Sequence, residues 1–384
     1  MNYLYSGIQR LVLLLSYAVH RPWSRPPARL SWVVGVTEIA GMTERISRAL
    51  PGSTLVLSTR HPYFSATADI SPPSFRVRVL PMLVSILWGP WVLGRLARKH
   101  RGIVFVGASG FLSKRRDFRE FEFGFLKKHD VRIVCIFTGN DIRSHELASQ
   151  LAHRTGRPNQ SAVSEMANPI LVTLEHDRSR QKIAQTADAY ADLIYNFEFD
   201  QISYLESQTK PFFYAYPDER LNYLPEKFDC DPPFVVVHAP SNPVIKGTAF
   251  VREAVERLSS QGYDFEYVEL MNVSNDEVLA ALKRAHIVLN QFWALAPGVV
   301  GIEAMANTCA MLCSADGEIE TGLAAGANQA WLQTSTSEVY DNLKRLLDDR
   351  ELAKTLAIRG FEWVKTTAVA SLNSAAFVRD LDSL

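Results

Sequence analysis

Short apolar runs rich in β-branched residues, each the length of a strand, alternate with helix-length stretches along this chain. That alternation constrains the fold more than any single motif. Strands separated by helices pair in parallel, with the helices covering both faces of the sheet. The first half places strands at residues 32–36, 54–58, 103–106, 131–137 and 193–196, and helices at 42–50, 118–128 and 178–191. Between Tyr216 and Pro233 the pattern breaks into polar, proline-rich turns. It then restarts with strands at 234–238, 265–270, 287–290 and 310–313. Helices at 250–260, 276–284, 299–306, 338–347, 352–365 and 371–384 complete the second half. A chain of 384 residues is too long for one ordinary domain and ample for two. The expected fold is α/β, with two Rossmann-like parallel-sheet domains facing across a cleft. The expected divisions are an apolar and basic segment at 1–28, domains at 29–222 and 223–365, and a final helix at 366–384.

Lys and Arg total 41, as do Asp and Glu, so no global basic field argues for nucleic acid as a partner. Of the four cysteines, Cys135 and Cys309 sit in apolar runs as small core residues, and Cys309-x-x-x-Cys313 lacks the second ligand pair of a zinc site. Cys230 falls in the turn-rich break. This usage fits a reduced, cytoplasmic setting. Nowhere do histidines or carboxylates take metal-ligand spacing.

The apolar run at 11–19 is about half of the ~20 residues needed to cross a bilayer. Arg10, Arg21, Arg25 and Arg29 flank it, and no small-residue cleavage site follows it before the proline-rich stretch at 22–27. Two readings stay open: a helix packed on the body of the protein, or one lying in a membrane interface at the inner face. The apolar segment 83–94 with its basic end at 95–101 adds weight to peripheral membrane contact, although a buried helix kinked at Pro90 is the plainer account.

In open parallel sheets ligands collect at the carboxyl ends of strands, and between two such domains the cleft is the natural site. The strand at 234–238 runs into a loop holding Pro240 and Pro243, with a helix opening near Thr248. Lys246 therefore stands just before a helix N-terminus, whose free amides already favour an anion, and Gly247 lets backbone approach a phosphate. Ser241 and Asn242 lie in the same loop. Glu303 lies near the start of a helix opened by Gly298, in the apolar stretch that includes Val299 and Val300. A buried carboxylate needs a partner, and a ribose diol donates two hydrogen bonds to one.

Other candidates are less distinctive. Gln291 and Trp293 end a strand, where an amide and a flat ring can grip a base or sugar; a core aromatic with a capping amide fits equally. Asp141 and Arg143 follow a first-domain strand, at the correct end for a cleft, to hold hydroxyls and a phosphate. Gly35 reads as a turn that brings backbone to the substrate. His238, at a strand end, faces either the cleft or the core. Glu175-His176-Asp177 contains general-base types but reads as an exposed polar turn.

The motifs Lys246-Gly247 and Glu303-Ala304-Met305-Ala306 resemble those of the retaining GT-B glycosyltransferases of the family 4 type, the group 1 glycosyl transferases. The likeness runs from about 235 to 313, and residues 33–38 and 138–143 are similar to first-domain loops of some polysaccharide-building members. The resemblance implies GT-B architecture, with the last helix crossing back to the first domain. It implies that Lys246 binds the diphosphate of a nucleotide-sugar donor and Glu303 its ribose. Gly247, Ser241, Asn242, Gln291, Gly298, Val299, Val300 and Gly35 would line the donor, and Arg143, His238 and Trp293 the rest of the cleft. Lys246 and Asp141 are the candidate catalytic groups. The implied reaction moves a sugar with retention to a glycan or lipid-linked acceptor, in polysaccharide or glycoconjugate synthesis. The leaving phosphate would deprotonate the acceptor, and neither metal nor cofactor would be required. Two positions depart from the family: Ser241 stands where an arginine is common, and Leu295 where a glutamate is. A nucleotide-sugar epimerase on the same fold, or a non-catalytic nucleotide-sugar-binding protein, are the alternatives.

Overall fold

The computed structural model describes residues 2–21, 31–59, 61–73, 80–112, 118–229 and 233–384. Arg25, Arg29 and Cys230 lie outside the described residues. The first sheet comprises β1 (Trp32–Val36), β2 (Thr54–Leu57), β3 (Gly102–Val106), β4 (Arg132–Ile136), β5 (Leu193–Asn196) and β6 (Lys210–Pro211). Its strands are parallel, in the order β2-β1-β3-β4-β5-β6. Its helices are α1 (Asn2–Val19), α2 (Met42–Ala49), α3 (Leu80–Lys99), α4 (Glu120–Lys128), α5 (His145–Thr155), α6 (Ser164–Ala167) and α7 (Leu174–Tyr190). The second sheet holds β7 (Phe234–His238), β8 (Phe265–Glu269), β9 (Ile287–Leu289), β10 (Ala310–Cys313) and β11 (Leu332–Gln333). It too is parallel, in the order β11-β10-β9-β7-β8. Its helices are α8 (Pro243–Lys246), α9 (Thr248–Ser260), α10 (Asn275–Arg284), α11 (Gly298–Ala306), α12 (Ala327–Ala330), α13 (Val339–Asp348), α14 (Arg350–Thr367) and α15 (Ala370–Asp382). The α/β fold with two facing Rossmann-like domains, expected from the alternation, is the fold observed.

The central strands β1, β3 and β10 are buried along their length, as sheets covered on both faces require. One hydrophobic cluster joins the inner faces of the two domains, running from Val34 and Ile46 through Tyr214 and Tyr216 to Ile302, Met305 and Trp331. The domains therefore meet on a largely apolar surface. After α14 the chain returns to the first domain. Asp380 of α15 accepts a hydrogen bond from the Tyr195 hydroxyl and pairs with Lys210, both in the first sheet.

Gly35 lies inside β1, not in a turn after it. A Cβ there would stand 2.5 Å from the Val56 carbonyl oxygen of the neighbouring strand, so the glycine serves close strand packing. Glu175, His176 and Asp177 form the first turn of α7 instead of an exposed loop. Asp177 is buried and accepts from the Ser144 and Tyr204 hydroxyls at 2.7 and 2.6 Å.

Candidate functional site

The strand order of the second sheet reverses between β7 and β9, and the loops leaving these two strands flank the crevice where such sheets take ligands. Three local devices shape the β7 loop. His238 ends the strand fully buried, its Nδ1 2.6 Å from the Leu289 carbonyl and its Nε2 2.9 Å from the Thr248 hydroxyl. A carbonyl only accepts, so Nδ1 carries the hydrogen. Burial pushes the imidazole pKa down to about 4, which leaves Nε2 to accept from Thr248 at neutral pH. His238 is thus a fastener between β9 and α9, not a cleft group, because both ring nitrogens are already used.

Asn242 caps α8, its side-chain oxygen accepting from the Val244 and Ile245 amides at 3.1 Å each. Gly247, at φ 75°, ends α8 and starts α9 in the left-handed region, and a Cβ there would press on Phe292 at 3.2 Å. Ser241 is exposed on the same loop.

These devices leave Lys246 as the last residue of α8, its ammonium donating to Gln291 Oε1 across the crevice. Gln291 Nε2 donates onward to the Ala296 carbonyl. Lysine only donates and a carbonyl only accepts, so the carboxamide has one orientation. Among the described residues no carboxylate lies within ion-pair distance of Lys246. Burial pushes its pKa down to about 8, opposed in part by the charge of Asp200. A cation held without a counterion beside two helix N-termini is arranged for an anion. The second N-terminus belongs to α11. Gly298 opens it at φ 67° and donates its amide to the Tyr214 hydroxyl at 3.1 Å, and Val299 and Val300 follow in a first turn whose amides precede any helical acceptor.

Glu303, one turn into α11, is fully buried. Its Oε1 accepts from Arg45 Nη2 at 2.7 Å, and Asn275 Nδ2 lies 3.2 Å from both oxygens. Arg45 comes from α2 of the first domain and is itself buried. In this closed arrangement the protein satisfies the carboxylate, so a ribose reaches it only by displacing Arg45.

Asp200 was invisible in the sequence beyond its place after β5. One of its oxygens accepts from Arg143 Nη2 at 2.8 Å, and the other from the Leu295 amide at 2.7 Å. Arg143 therefore reaches the junction through Asp200, to whose carbonyl its Nε also donates, while its Nη1 donates to Asn140 and Gln160. Leu295, at the position where the resembled family has a glutamate, turns a buried side chain inward and offers only its amide. A carboxylate does reach this part of the crevice, from the opposite domain. Glu320, also missed, accepts from the backbone amides of Glu198, Phe199 and Asp200 and so fixes the loop that carries it.

The structure brings Lys246, Gln291, Gly298, Asp200 and Arg143 to one junction. Asp141 stands apart: its carboxylate accepts from the Thr138 amide and hydroxyl at 2.8 and 3.0 Å, closing its own loop, and burial raises its pKa. Trp293 packs edge-on to Phe250, with centroids 6.0 Å apart, and lines a cavity of about 40 Å³ with Ser314 and Thr334.

No family model and no curated protein matches this chain. Among solved structures it is similar to the sucrose-phosphate synthase from Thermosynechococcus elongatus, with TM-score 0.59 at 13% identity over 94% of this chain and 100% of that one. The α,α-trehalose 6-phosphate synthase from Burkholderia multivorans gives TM-score 0.56 at 12% identity, over 93% and 99%. The N-terminal domain of the Candida albicans trehalose-6-phosphate phosphatase gives 0.54 at 12%, over 93% and 99%. The likeness is one of fold, the GT-B arrangement of two facing parallel-sheet domains.

Proposed function

We propose that the protein is a glycosyltransferase that moves a sugar from a nucleoside diphosphate to a glycan or lipid-linked acceptor, with retention. The observation that carries this reading is Lys246: a half-buried cation with no carboxylate at ion-pair distance among the described residues, at the strand-order reversal of the second sheet and between two helix N-termini. That environment suits a diphosphate, whose charge grows as the glycosidic bond breaks, and fixed donors there act without reorganising. On this reading the acceptor sits on the first-domain side. Its hydroxyl attacks the anomeric carbon as the carbon–oxygen bond to the diphosphate breaks, and its proton passes to the departing phosphate oxygen. No protein base is then assigned. Asp200, carried in from the first domain beside Lys246 and Leu295, is the carboxylate placed to hold a donor-sugar hydroxyl.

The epimerase alternative loses support because two of its acid–base candidates, His238 and Asp141, are committed to internal hydrogen bonds. The test is a thermal-shift screen against uridine, guanosine and adenosine diphosphate sugars. A ligand at a hundred times its dissociation constant raises stability by about 2.7 kcal/mol. The positive nucleotide sugar is then incubated with and without acceptors. Release of diphosphate only with an acceptor supports transfer, whereas conversion of the sugar without one overturns it.

A further inference from the structure

Two helices of the first domain carry six of the twelve large apolar residues that are exposed among the described residues. On α1, Leu11, Leu14, Leu15 and Val19 are 51–69% exposed and recur at the spacing of one helix face. On α3, Leu87 and Trp91 are 37% and 43% exposed, one turn apart. The helices run parallel: Gln9 bonds to the Ile86 carbonyl, Ser16 to that of Trp91, and Arg98 to that of Tyr17. Gly94 permits this packing, because a Cβ there would stand 2.7 Å from Ser16 Cβ. The Trp91 ring lies 5.4 Å from that of His20, just past the end of α1, so the exposed apolar residues of the two helices adjoin there, whereas scattered surface leucines need no explanation.

Charge decides the occupant. Neither helix contains an aspartate or glutamate, although the whole chain carries 41 acidic residues against 41 basic ones. Exposed Arg21, Arg95 and Lys99 cluster where the two helices end together, and among the described residues none of them is in an ion pair. No described helix is long and apolar enough to cross a membrane. A second copy of an apolar face would be covered by apolar contact alone and gives no role to an unpaired basic rim. An anionic lipid surface matches both parts, with leucines and a tryptophan entering the acyl boundary while the basic groups meet headgroup phosphates.

We propose that the α1–α3 face docks this protein in the interface of an anionic membrane. The proposal does not rest on the reaction at the domain junction. The full-length protein is floated with vesicles of phosphatidylcholine alone or mixed with phosphatidylglycerol. It rises with the anionic vesicles and much less with the neutral ones, and added salt weakens the binding. Exchange of Arg21, Arg95 and Lys99 for glutamine weakens anionic binding about a hundredfold. The double variant Leu14→Glu, Leu15→Glu alters only exposed side chains, so its unfolding temperature stays near that of the parent while flotation is lost. Equal binding to both vesicle types, or binding to neither, overturns the proposal. So does self-association by light scattering that the same double variant abolishes, which assigns the face to a second copy.

Discussion

Lys246 holds a charge where burial disfavours one, and that tension has a sign. Its pKa in the folded free protein, about 8, lies below the ordinary 10.5, so the free protein gains stability as pH rises from about 8 towards 10.5. A bound diphosphate favours the ammonium. Affinity is therefore full below about pH 8 and falls up to about tenfold per unit above it. Calorimetric titration of a nucleoside diphosphate between pH 6 and 10 measures the slope, and Lys246→Ala removes it. The same variant weakens the diphosphate ~10–100-fold while sparing the bare nucleoside. His238 carries the same sign in a lower pH range. Its folded pKa of about 4 lies below the ordinary 6.5, so stability is lost as pH falls from 6.5 towards 4, by about 3 kcal/mol in all. Chemical denaturation across that range reads the loss. His238→Gln starts less stable at pH 7 but flattens the slope.

Among the elements, the loop after β5 has the most consequence for the junction. Glu320 grips three of its amides, and the loop in turn delivers Asp200 to Arg143 and the Leu295 amide. Asp200→Ala leaves a largely buried guanidinium without its partner and should cost about 3 kcal/mol. Denaturant unfolding measures that cost, and on the transfer reading turnover falls further than diphosphate affinity does. A fall in affinity alone, with turnover at saturation unchanged, would remove Asp200 from the donor-sugar role. Lys246 and its loop were legible in the sequence because Pro243, Gly247 and the strand before them act locally. Asp200 and Glu320 were not, since each works on backbone more than 90 residues away.

Across the whole molecule, the closed arrangement turns on the Arg45–Glu303 pair, formed 258 residues apart between α2 and α11. Removing Arg45 strands a buried carboxylate, so Arg45→Ala should destabilise the protein by about 3–5 kcal/mol. If ribose takes the place of Arg45 on Glu303, the same variant binds nucleoside diphosphate more tightly, because a competitor is gone. Weaker binding, read by calorimetry, would instead make Arg45 a ligand of the diphosphate.

Hydrophobic periodicity depends only on near neighbours, and so most of the strands and helices, the division into two sheets and the lysine loop could be read from the chain itself, whereas α5 and the two-residue edge strands β6 and β11 could not. Gly35 was misplaced and His238 left open between cleft and core, because their roles depend on contacts that periodicity cannot register: a carbonyl on the adjacent strand, and a hydroxyl on a helix ten residues on. Folding alone decided which charges meet across the domains. Arg45 sits on Glu303 and Asp200 beside Leu295 because two sheets with no sequence signal for their mutual docking close on a shared apolar surface.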